Sequence, residues 1–563
     1  MKKFLLTLVC VLAFTGAAFA ANVEDALTPA PEKSVYAVLK LDDTQALLKW
    51  IFSKENIDTF MPLILASENS NDIIGVIEMI SAFVQNTPLK SAALLVGVDD
   101  KQTPFFKMAF TVKPEAEPFV KKISDGSAEA LDIAKLIMGK DNPIMAAFAE
   151  SMIKVEKAED NILKVDNELF LKTQEDIIVA GLSVDDVKNS LNALEEEDSR
   201  FFAKKTRKFA PRDFAWFHVD ADVLKTLDED NEIDIEEVKK YLAGPLDVEY
   251  GFMREPGKFL MSMAFNLKEA LTKEALETMG LVGLDRKFPS AKGGNINLLG
   301  AKSPLLALGG LLNIEGIKLT DEGRNAWKEF VKQAKNRFGI SEEDLNKLFA
   351  GTFSFVVNDN VTIEGIKLPA VYISQKDTDG AGKKIFELFE KSPHFHKVQD
   401  DVLQVDSSLI PAPCFVTKTE DGLKINFAEL ANISAETTLK PALKELMDTE
   451  ATSALWLDFA EIQSWILSPE NGVLTILEPL ARFSGQGVFF DAFKDILNAK
   501  LSVPSMSIHS DSMEVIHTEF QIDEDVKPEE GLMTQIVKIS KNFLNFDKVE
   551  DKSEKSEKTE ESK

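Results

Sequence analysis

An eight-residue block occurs twice in this chain, and a tryptophan follows each copy at the same distance. Residues 159–166 read EDNILKVD, and residues 399–406, 240 positions later (399 − 159), read QDDVLQVD. Trp216 and Trp456 each lie 56 positions after the first aspartate of their block (216 − 160 and 456 − 400). Because chance rarely preserves both a residue pattern and a long spacing, the sequence predicts a duplicated domain. A chain of 563 residues is long enough for two hydrophobic cores.

The two predicted repeats span residues 31–280 and 304–526. The linker between them, residues 281–303, is rich in Gly, Lys, Ser and Pro. The sequence distance between corresponding segments of the two repeats is larger before the repeated block than at the block itself. This difference predicts a helical insertion in the first repeat near residues 128–152. After the second repeat we predict a C-terminal helix over residues 527–546 and a disordered charged tail over residues 549–563.

Each repeat reads as antiparallel strands combined with helices. Residues 93–98 and 105–112 are apolar runs joined by a polar turn, which is typical of a hairpin, and Phe106, Met108 and Phe110 alternate onto one face. Ser183, Asp234 and Ser434 precede helical patterns as N-caps, and Gly339 follows one as its C-terminal stop. The predicted fold class is α+β: two homologous repeats, each an antiparallel sheet with helices packed mainly on one face.

The first 20 residues read as a secretory signal peptide. Lys2 and Lys3 precede an apolar stretch at residues 4–14, and Ala18-Phe19-Ala20 provides the small-x-small pattern that signal peptidase accepts. No later segment has the length and apolarity of a membrane helix. We therefore expect an exported protein, periplasmic or extracellular, with no integral membrane segment after signal removal.

Cleavage after Ala20 is directly testable. N-terminal sequencing of the protein recovered from the cell envelope should read Ala-Asn-Val-Glu, starting at Ala21. Recovery of a chain that still begins with Met1, from the cytosol, would contradict export.

The chain is strongly acidic, and this charge restricts its partners. It carries 64 Lys and Arg against 93 Asp and Glu, a formal net charge of −29 at pH 7. Such a surface repels phosphate backbones and anionic lipid headgroups. The sequence thus disfavours nucleic-acid binding, and the expected partner is an envelope protein or an apolar ligand.

Two histidine pairs and one cysteine are the candidates for chemistry. His394 and His396 share a face if extended, and His509 and His517 flank a predicted turn and so face each other across a hairpin. Neither pair has further ligands at signature spacing, so no metal site is assigned. Cys414 is a candidate nucleophile, but nothing in its sequence surroundings lowers the pKa of a thiol. The sequence assigns no catalytic, cofactor-binding or metal-binding residue.

Known catalytic and binding signatures are missing from the printed sequence. Residues 228–234 resemble the opening of a calcium loop, but Ile233 stands where that loop needs glycine, and Asp234 is better placed as a helix cap. Asp220 and Asp222 follow Trp216, yet the second repeat has Ala460 and Ile462 at the matching positions. No serine-hydrolase elbow, P-loop or dinucleotide fingerprint occurs.

The aromatic composition gives the one hint of an apolar cargo. The chain has 39 Phe against 4 Tyr and 5 Trp, and phenylalanine suits cores and apolar grooves better than polar recognition. The residues that fit either a core or a ligand groove are Phe83, Phe105, Phe106, Phe110, Phe201, Phe202, Phe214 and Phe217.

In layout the chain resembles secreted bacterial proteins known only as domains of unknown function. The resemblance is carried by Pro31 ahead of Val35-Tyr36, which opens a strand soon after the signal, and by the duplicated strand–helix units. It implies a duplicated α+β fold and no activity. We therefore expect an exported, non-enzymatic envelope protein that binds a partner or an apolar ligand. One expected position for this binding site is between the two repeats. The alternative is an envelope hydrolase with unidentified catalytic carboxylates.

Overall fold

The structure is a computed structural model. It describes residues 26–27, 34–41, 89–98, 104–138, 153–166, 169–195, 213–220, 234–278, 290–298, 304–311, 318, 321–363, 366–377, 379–410, 412–427, 439–484, 487–512 and 514–526. The chain divides into two compact units. Among the described residues, unit 1 holds those from 26 to 253 with Ala264–Asn266, and unit 2 holds those from 254 to 263 and from 267 to 526. Both units combine helices with antiparallel strands, which confirms the predicted α+β class.

Unit 1 contains the first strands and helices of the chain. Its strands are β1 (Ser34–Leu41), β2 (Leu89–Val98), β3 (Pro104–Val112), β4 (Val155–Lys157), β5 (Leu163–Val165), β6 (Leu169–Gln174), β7 (Ile177–Gly181), β8 (Asp213–Val219) and β9 (Leu246–Glu255, whose last two residues count with unit 2). Its helices are α1 (Glu117–Ser124), α2 (Ala130–Met138), α3 (Val184–Glu195) and α4 (Ile235–Tyr241), with 3₁₀ turns at Pro114–Ala116 and Glu159–Asn161.

The strands of unit 1 pair in the order β4-β5-β6-β7-β3-β2-β1-β8-β9, and every one of these pairs is antiparallel. The predicted hairpin is confirmed as β2 and β3, where Leu95 lies opposite Lys107. Trp216 lies on β8 opposite Val38 of β1, and its side chain is buried.

Helices cover both faces of the unit 1 sheet, so the prediction of helices mainly on one face is wrong. Leu94 and Phe110 belong to a cluster that includes Phe119 of α1, whereas Leu95 belongs to a second cluster that packs against Leu191 of α3. Successive residues of a strand point to opposite faces. The central strands are apolar at consecutive positions, as in the run Ala-Ala-Leu-Leu-Val at residues 92–96, because they are buried from both sides.

Unit 2 contains the remaining described elements. Its strands are β10 (Lys258–Phe265, of which Lys258–Met263 count with this unit), β11 (Ala291–Lys292), β12 (Leu306–Leu311), β13 (Thr352–Ile363), β14 (Ile366–Lys376), β15 (Phe395–Gln399), β16 (Val402–Val405), β17 (Phe415–Thr419), β18 (Gly422–Phe427), β19 (Glu450–Ala451), β20 (Ser453–Asp458), β21 (Ser505–Ser512) and β22 (Val515–Gln521). Its helices are α5 (Leu267–Ala270), α6 (Lys273–Thr278), α7 (Asp321–Phe338), α8 (Glu342–Phe349), α9 (Ala381–Glu390), α10 (Pro441–Asp448), α11 (Phe459–Leu467), α12 (Val473–Phe483) and α13 (Gly487–Leu497), with 3₁₀ turns at Gly293–Asn295 and Pro469–Asn471.

The strands of unit 2 pair, again antiparallel, in the order β15-β16-β17-β18-β14-β13-β12-β20-β21-β22. β10 pairs with β22. Trp456 lies on β20 opposite Ala307 of β12, and its side chain is 1% exposed. Trp216 thus lies on β8, which pairs with β1, and Trp456 lies on β20, which pairs with β12. Leu163 and Leu403 both lie on strands.

The unit 2 sheet is also covered on both faces. Leu423 of β18 lies in a cluster with residues of α7, α8 and α9. Tyr372 and Trp456 lie in a second cluster with Leu443 of α10. Leu423 is opposite Gln375, three positions from Tyr372 on β14, so the two clusters occupy opposite faces.

Three of the predicted helix ends are confirmed, two by side-chain hydrogen bonds and one by a backbone angle. Ser183 Oγ accepts a bond of 3.1 Å from the Asp186 amide, and Asp234 Oδ1 accepts from the Glu236 and Glu237 amides at 3.0 and 3.2 Å. Gly339 ends α7 with φ +71°, in the left-handed region that glycine tolerates. The cap predicted at Ser434 lies outside the described residues, and the helix that follows it begins at Pro441.

Residues 290–298 pack into unit 2, although they fall inside the predicted linker. The Gly293 amide donates to the Thr449 carbonyl at 2.8 Å, and Ile296 joins the core cluster of Trp456. A Cβ on Gly294, where φ is +53°, would lie 2.4 Å from the carbonyl carbon of Ser453. The glycine pair therefore permits close approach of two backbone segments, which sequence alone does not distinguish from the flexibility of a linker.

The other predicted domain boundaries can be compared with the two compact units and with the described helices. The chain passes from unit 1 to unit 2 after Met253, earlier than the predicted boundary at residue 280. α2 lies within the predicted insertion at 128–152, and unit 2 passes from α9 to β15 without a matching helix. The signal peptide, the C-terminal helix and the charged tail lie outside the described residues. In the described part of the chain, no helix combines the length and apolarity needed to cross a bilayer.

Candidate functional site

The two most exposed large apolar side chains in the described part of the chain lie on one helix of unit 2, and two further exposed ones lie on this helix and the next. Leu477, Leu480 and Phe483 of α12 and Phe493 of α13 are exposed by 41%, 59%, 95% and 40%. We call these four side chains the helical surface. Phe483 is almost wholly in water, which is a costly place for an aromatic ring that has no polar atom.

The segment that carries the helical surface connects two neighbouring strands. β20 and β21 pair with each other, yet α11, α12 and α13 intervene between them in sequence. α11 begins at Asp458, whose carboxylate accepts a bond of 3.0 Å from the Glu461 amide. Gly472, at φ +68°, turns the chain into α12. No residue of α11 is buried, and Phe490 is the one buried apolar side chain described on α12 and α13.

Charged residues of α12 and α13 form a group of ion pairs that joins the two helices. Arg482 Nη2 lies 2.9 Å from Glu478 Oε1 and 3.1 Å from Asp491 Oδ1, and Lys494 Nζ lies 3.7 Å from Glu478 Oε2. The hydrogen bond from Arg482 and then the charge of Lys494 hold the pKa of Glu478 below its usual value.

A second cluster lies on the β21–β22 hairpin and contains one of the predicted histidine pairs. His509 and His517 are directly opposite each other, and their ring centroids are 4.8 Å apart. Asp511 Oδ2 lies 3.1 Å from His517 Nε2, and Ser262 Oγ lies 2.7 Å from His517 Nδ1. The prediction that these histidines face each other across a hairpin is thus confirmed.

The other predicted histidine pair does not form a comparable cluster among the described residues. His396 Nε2 lies 3.2 Å from Asp406 Oδ2 and is exposed, whereas His394 packs with its ring edge toward Phe338. Hydrogen bonds from Ser408 and then from His396 lower the pKa of Asp406 to about 2. This is a surface ion pair of ordinary kind.

His218 and Asp220 meet in unit 1 without a second histidine among the described residues. His218 Nδ1 lies 2.7 Å from Asp247 Oδ1, and its Nε2 lies 3.7 Å from Asp220 Oδ2. Asp222 and residues 228–233 of the calcium-loop resemblance lie outside the described residues.

Cys414 is buried in the unit 2 core and is not placed for catalysis. Its side chain belongs to the cluster that contains Phe386 and Leu403. Burial raises the pKa of the thiol to about 11, so the nucleophilic thiolate is rare near neutral pH.

Three of the most buried carboxylates stabilise helix N-termini. Asp186 and Asp344 accept from Ser183 Oγ at 2.8 Å and Ser341 Oγ at 2.6 Å, in matching capping arrangements, and Asp458 caps α11. Burial tends to raise the pKa of Asp344, but bonds from Lys384 and Ser341 outweigh it and leave that pKa below its usual value. These three carboxylates therefore have structural roles at helix N-termini.

An open depression in unit 1 lies over the first copy of the repeated block. It is lined in part by Asp160, Lys172 and Lys188. Lys188 Nζ lies 2.8 Å from Asp160 Oδ2 and 3.0 Å from Glu159 Oε1, and Lys172 Nζ donates to the Asp160 carbonyl. Lys172 and Lys188 are therefore already engaged by an acid or a carbonyl, and Lys157 also lines the depression.

The phenylalanines that the sequence places in either a core or a ligand groove differ in their exposure to solvent. Phe105 and Phe110 are buried, and Phe106 packs against the unit 1 core. Phe217 is 43% exposed and meets Tyr250 edge to face. Phe214 lies on β8, and Phe83, Phe201 and Phe202 lie outside the described residues. The apolar residues that the structure exposes most, on α12, were not predicted, although their spacing of three along an apolar helix was visible in the sequence.

Comparison with known proteins found no matching family model, no similar curated protein and no similar solved structure. The resemblance to secreted bacterial domains of unknown function therefore stays a prediction.

Proposed function

We propose that this chain is an exported, non-enzymatic protein that binds a protein partner through the helical surface of unit 2. The observation that carries the proposal is the exposure of Phe483, at 95%, beside Leu480 at 59%. Burying side chains of this size contributes about 1.5–3 kcal/mol each. Leu480 and Phe483 lie about one helical turn apart, and exposed apolar patches often mark protein interaction sites.

The shape of the surface favours a protein over a small ligand. Leu477, Leu480 and Phe483 stand out from a helix rather than lining a cleft, and small-molecule sites are concave. Aromatic side chains are often among the few residues that carry most of the binding energy at protein interfaces. The formal charge of −29 further favours a neutral or basic partner.

The hydrolase alternative gains no specific support from the described residues. Asp186, Asp344 and Asp458 cap helices, and Cys414 is buried with a raised pKa. Export is supported by Lys2-Lys3, the apolar stretch and Ala18-Phe19-Ala20, and stays a proposal as well.

We also propose that units 1 and 2 are homologous repeats, as the repeated block predicts. The proposal is supported by the strand order, in which the nine strands of unit 1 match the first nine of unit 2, and by the matching strand positions of Trp216 and Trp456. The α11–α13 segment, which lies between β20 and β21, then makes the second repeat the one specialised for binding.

A neutral apolar dye such as Nile red tests the surface on the purified protein, because a neutral probe is not repelled by the acidic chain. We expect fluorescence from the native protein that is displaced by an extract of its own cell envelope. Fluorescence that appears only on unfolding would contradict an accessible apolar surface.

A further inference from the structure

We propose that His509, Asp511 and His517 form a binding site for one divalent transition-metal ion, with zinc as the reference case. The three residues each place one ligand atom, an imidazole nitrogen or a carboxylate oxygen, so that all three atoms lie within 4.8 Å of one another. The site lies on the β21–β22 hairpin, on different elements from the helical surface, and does not depend on the function proposed for that surface.

The strand register brings the two imidazoles together. His509 and His517 are partners in the antiparallel pair, and their rings stack at 4.8 Å with an interplanar angle of 23°. The register shifts between Ser510 and Ser512, so that Asp511 is the extra residue of a β-bulge. A bulge changes the direction of the side chain that it carries, and here the Asp511 carboxylate lies 3.1 Å from His517 Nε2.

Ser262 is placed to accept a hydrogen bond from the His517 tautomer that a metal ion requires. Its hydroxyl lies 2.7 Å from His517 Nδ1, and the serine is 3% exposed, so the contact is protected from water. When Nδ1–H donates to Ser262 Oγ, Nε2 keeps the lone pair with which it would bind a metal ion held between His517 and Asp511. Metal-bound histidines commonly have their other ring nitrogen held in this way by a neighbouring polar group.

The electrostatic setting also suits a cation. Burial, and then the neighbouring His517, lower the pKa of His509. Asp511 supplies one negative charge at the site, and the whole chain is acidic. Two imidazoles and a carboxylate are ligands that Zn²⁺, Cu²⁺ and Ni²⁺ accept.

The ligand atoms need only a small adjustment to coordinate. Bonds of about 2.0–2.2 Å in tetrahedral geometry require ligand atoms roughly 3.4 Å apart. The present separations reach up to 4.8 Å, and side-chain rotation on a half-exposed hairpin can close that difference. Three protein ligands leave a fourth position for water or for a group from a bound partner.

The decisive experiment is isothermal titration of chelator-stripped, tag-free full-length protein with ZnCl₂, in the presence of excess Mg²⁺ to occupy diffuse carboxylate sites. We expect one zinc ion per chain. His509→Ala and Asp511→Asn should each weaken zinc binding about tenfold or more, since each removes one of three ligands.

His396→Ala is the matched control, because His396 also pairs with a carboxylate on a hairpin of unit 2 but has no second histidine beside it. Its zinc affinity should equal that of the unmodified protein. Asp511 has a half-exposed side chain, so Asp511→Asn tests the site even if a histidine variant fails to fold.

Substitution of Co²⁺ gives a second readout, since visible d–d absorption reports tetrahedral nitrogen and oxygen ligands. That absorption should disappear in Asp511→Asn and persist in His396→Ala. Zinc binding that is unchanged in His509→Ala and Asp511→Asn, or that is absent from the unmodified protein, overturns the proposal.

Discussion

Replacing Trp456 by alanine should destabilise unit 2 by about 3–5 kcal/mol, the usual cost of removing a fully buried aromatic side chain. Trp456 is 1% exposed and packs with Tyr372 and Leu443 in the core cluster of that unit. Its indole Nε1 donates to the Pro304 carbonyl at 3.3 Å, so the substitution also leaves a buried acceptor without its donor. For a unit of this size we expect the midpoint of thermal unfolding to fall by roughly 6–20 °C.

Trp216→Ala is the matched variant in unit 1, where Trp216 holds the corresponding strand position and is 6% exposed. Differential scanning calorimetry should resolve the unfolding of the two units, with each variant lowering the transition of the unit that contains it. If both variants lower the same single transition to the same extent, the two cores do not fold as separate units.

Replacing Phe483 by aspartate should remove partner binding and leave the fold intact. The side chain is 95% exposed, so the free energy of unfolding should change by no more than about 0.5 kcal/mol. Loss of an aromatic residue from the centre of an interface costs about 2 kcal/mol or more in binding, or about a 30-fold rise in Kd. Binding of a neutral apolar dye to the native protein should fall as well.

Val398→Asp is the control for Phe483→Asp. Val398 is 44% exposed on β15 of the same unit and is not part of the helical surface. The Val398→Asp substitution changes the net charge by the same amount as Phe483→Asp. A difference in partner binding between the two variants therefore reports the position of the substitution and not the added charge. Equal loss of binding in both would point to an electrostatic effect instead.

Local features of the fold were predictable because their causes are local. The β2–β3 hairpin follows from two apolar runs joined by a polar turn, and the start of α3 follows from Ser183. The placement of helices on both faces of the sheets was not predictable in this way. Consecutive apolar residues such as Leu94 and Leu95 belong to different cores, and which helix reaches each core depends on contacts remote in sequence.

In the candidate sites, too, the locally determined features were predictable from the sequence and the features that depend on remote contacts were not. The facing of His509 and His517 was predicted from the turn between them, whereas Ser262, which lies 255 positions from His517, arrives through the pairing of β10 with β22. The apolar stripe of α12 reads in sequence like a helix face buried in a core. Its exposure is a property of packing, and the sequence pattern alone contains no signal for it.

The most direct test of the account is native mass spectrometry of the protein purified from its own cell envelope, run in parallel on the unmodified chain, Phe483→Asp and Val398→Asp. We predict a complex heavier than the chain by the mass of a second, different protein, present in the unmodified and Val398→Asp samples and lost in Phe483→Asp. An added mass equal to the chain itself would identify a homodimer, and an added mass below about 1 kDa a lipid-like ligand. The chain mass alone in all three samples, or a complex that survives Phe483→Asp, would contradict partner binding through the helical surface.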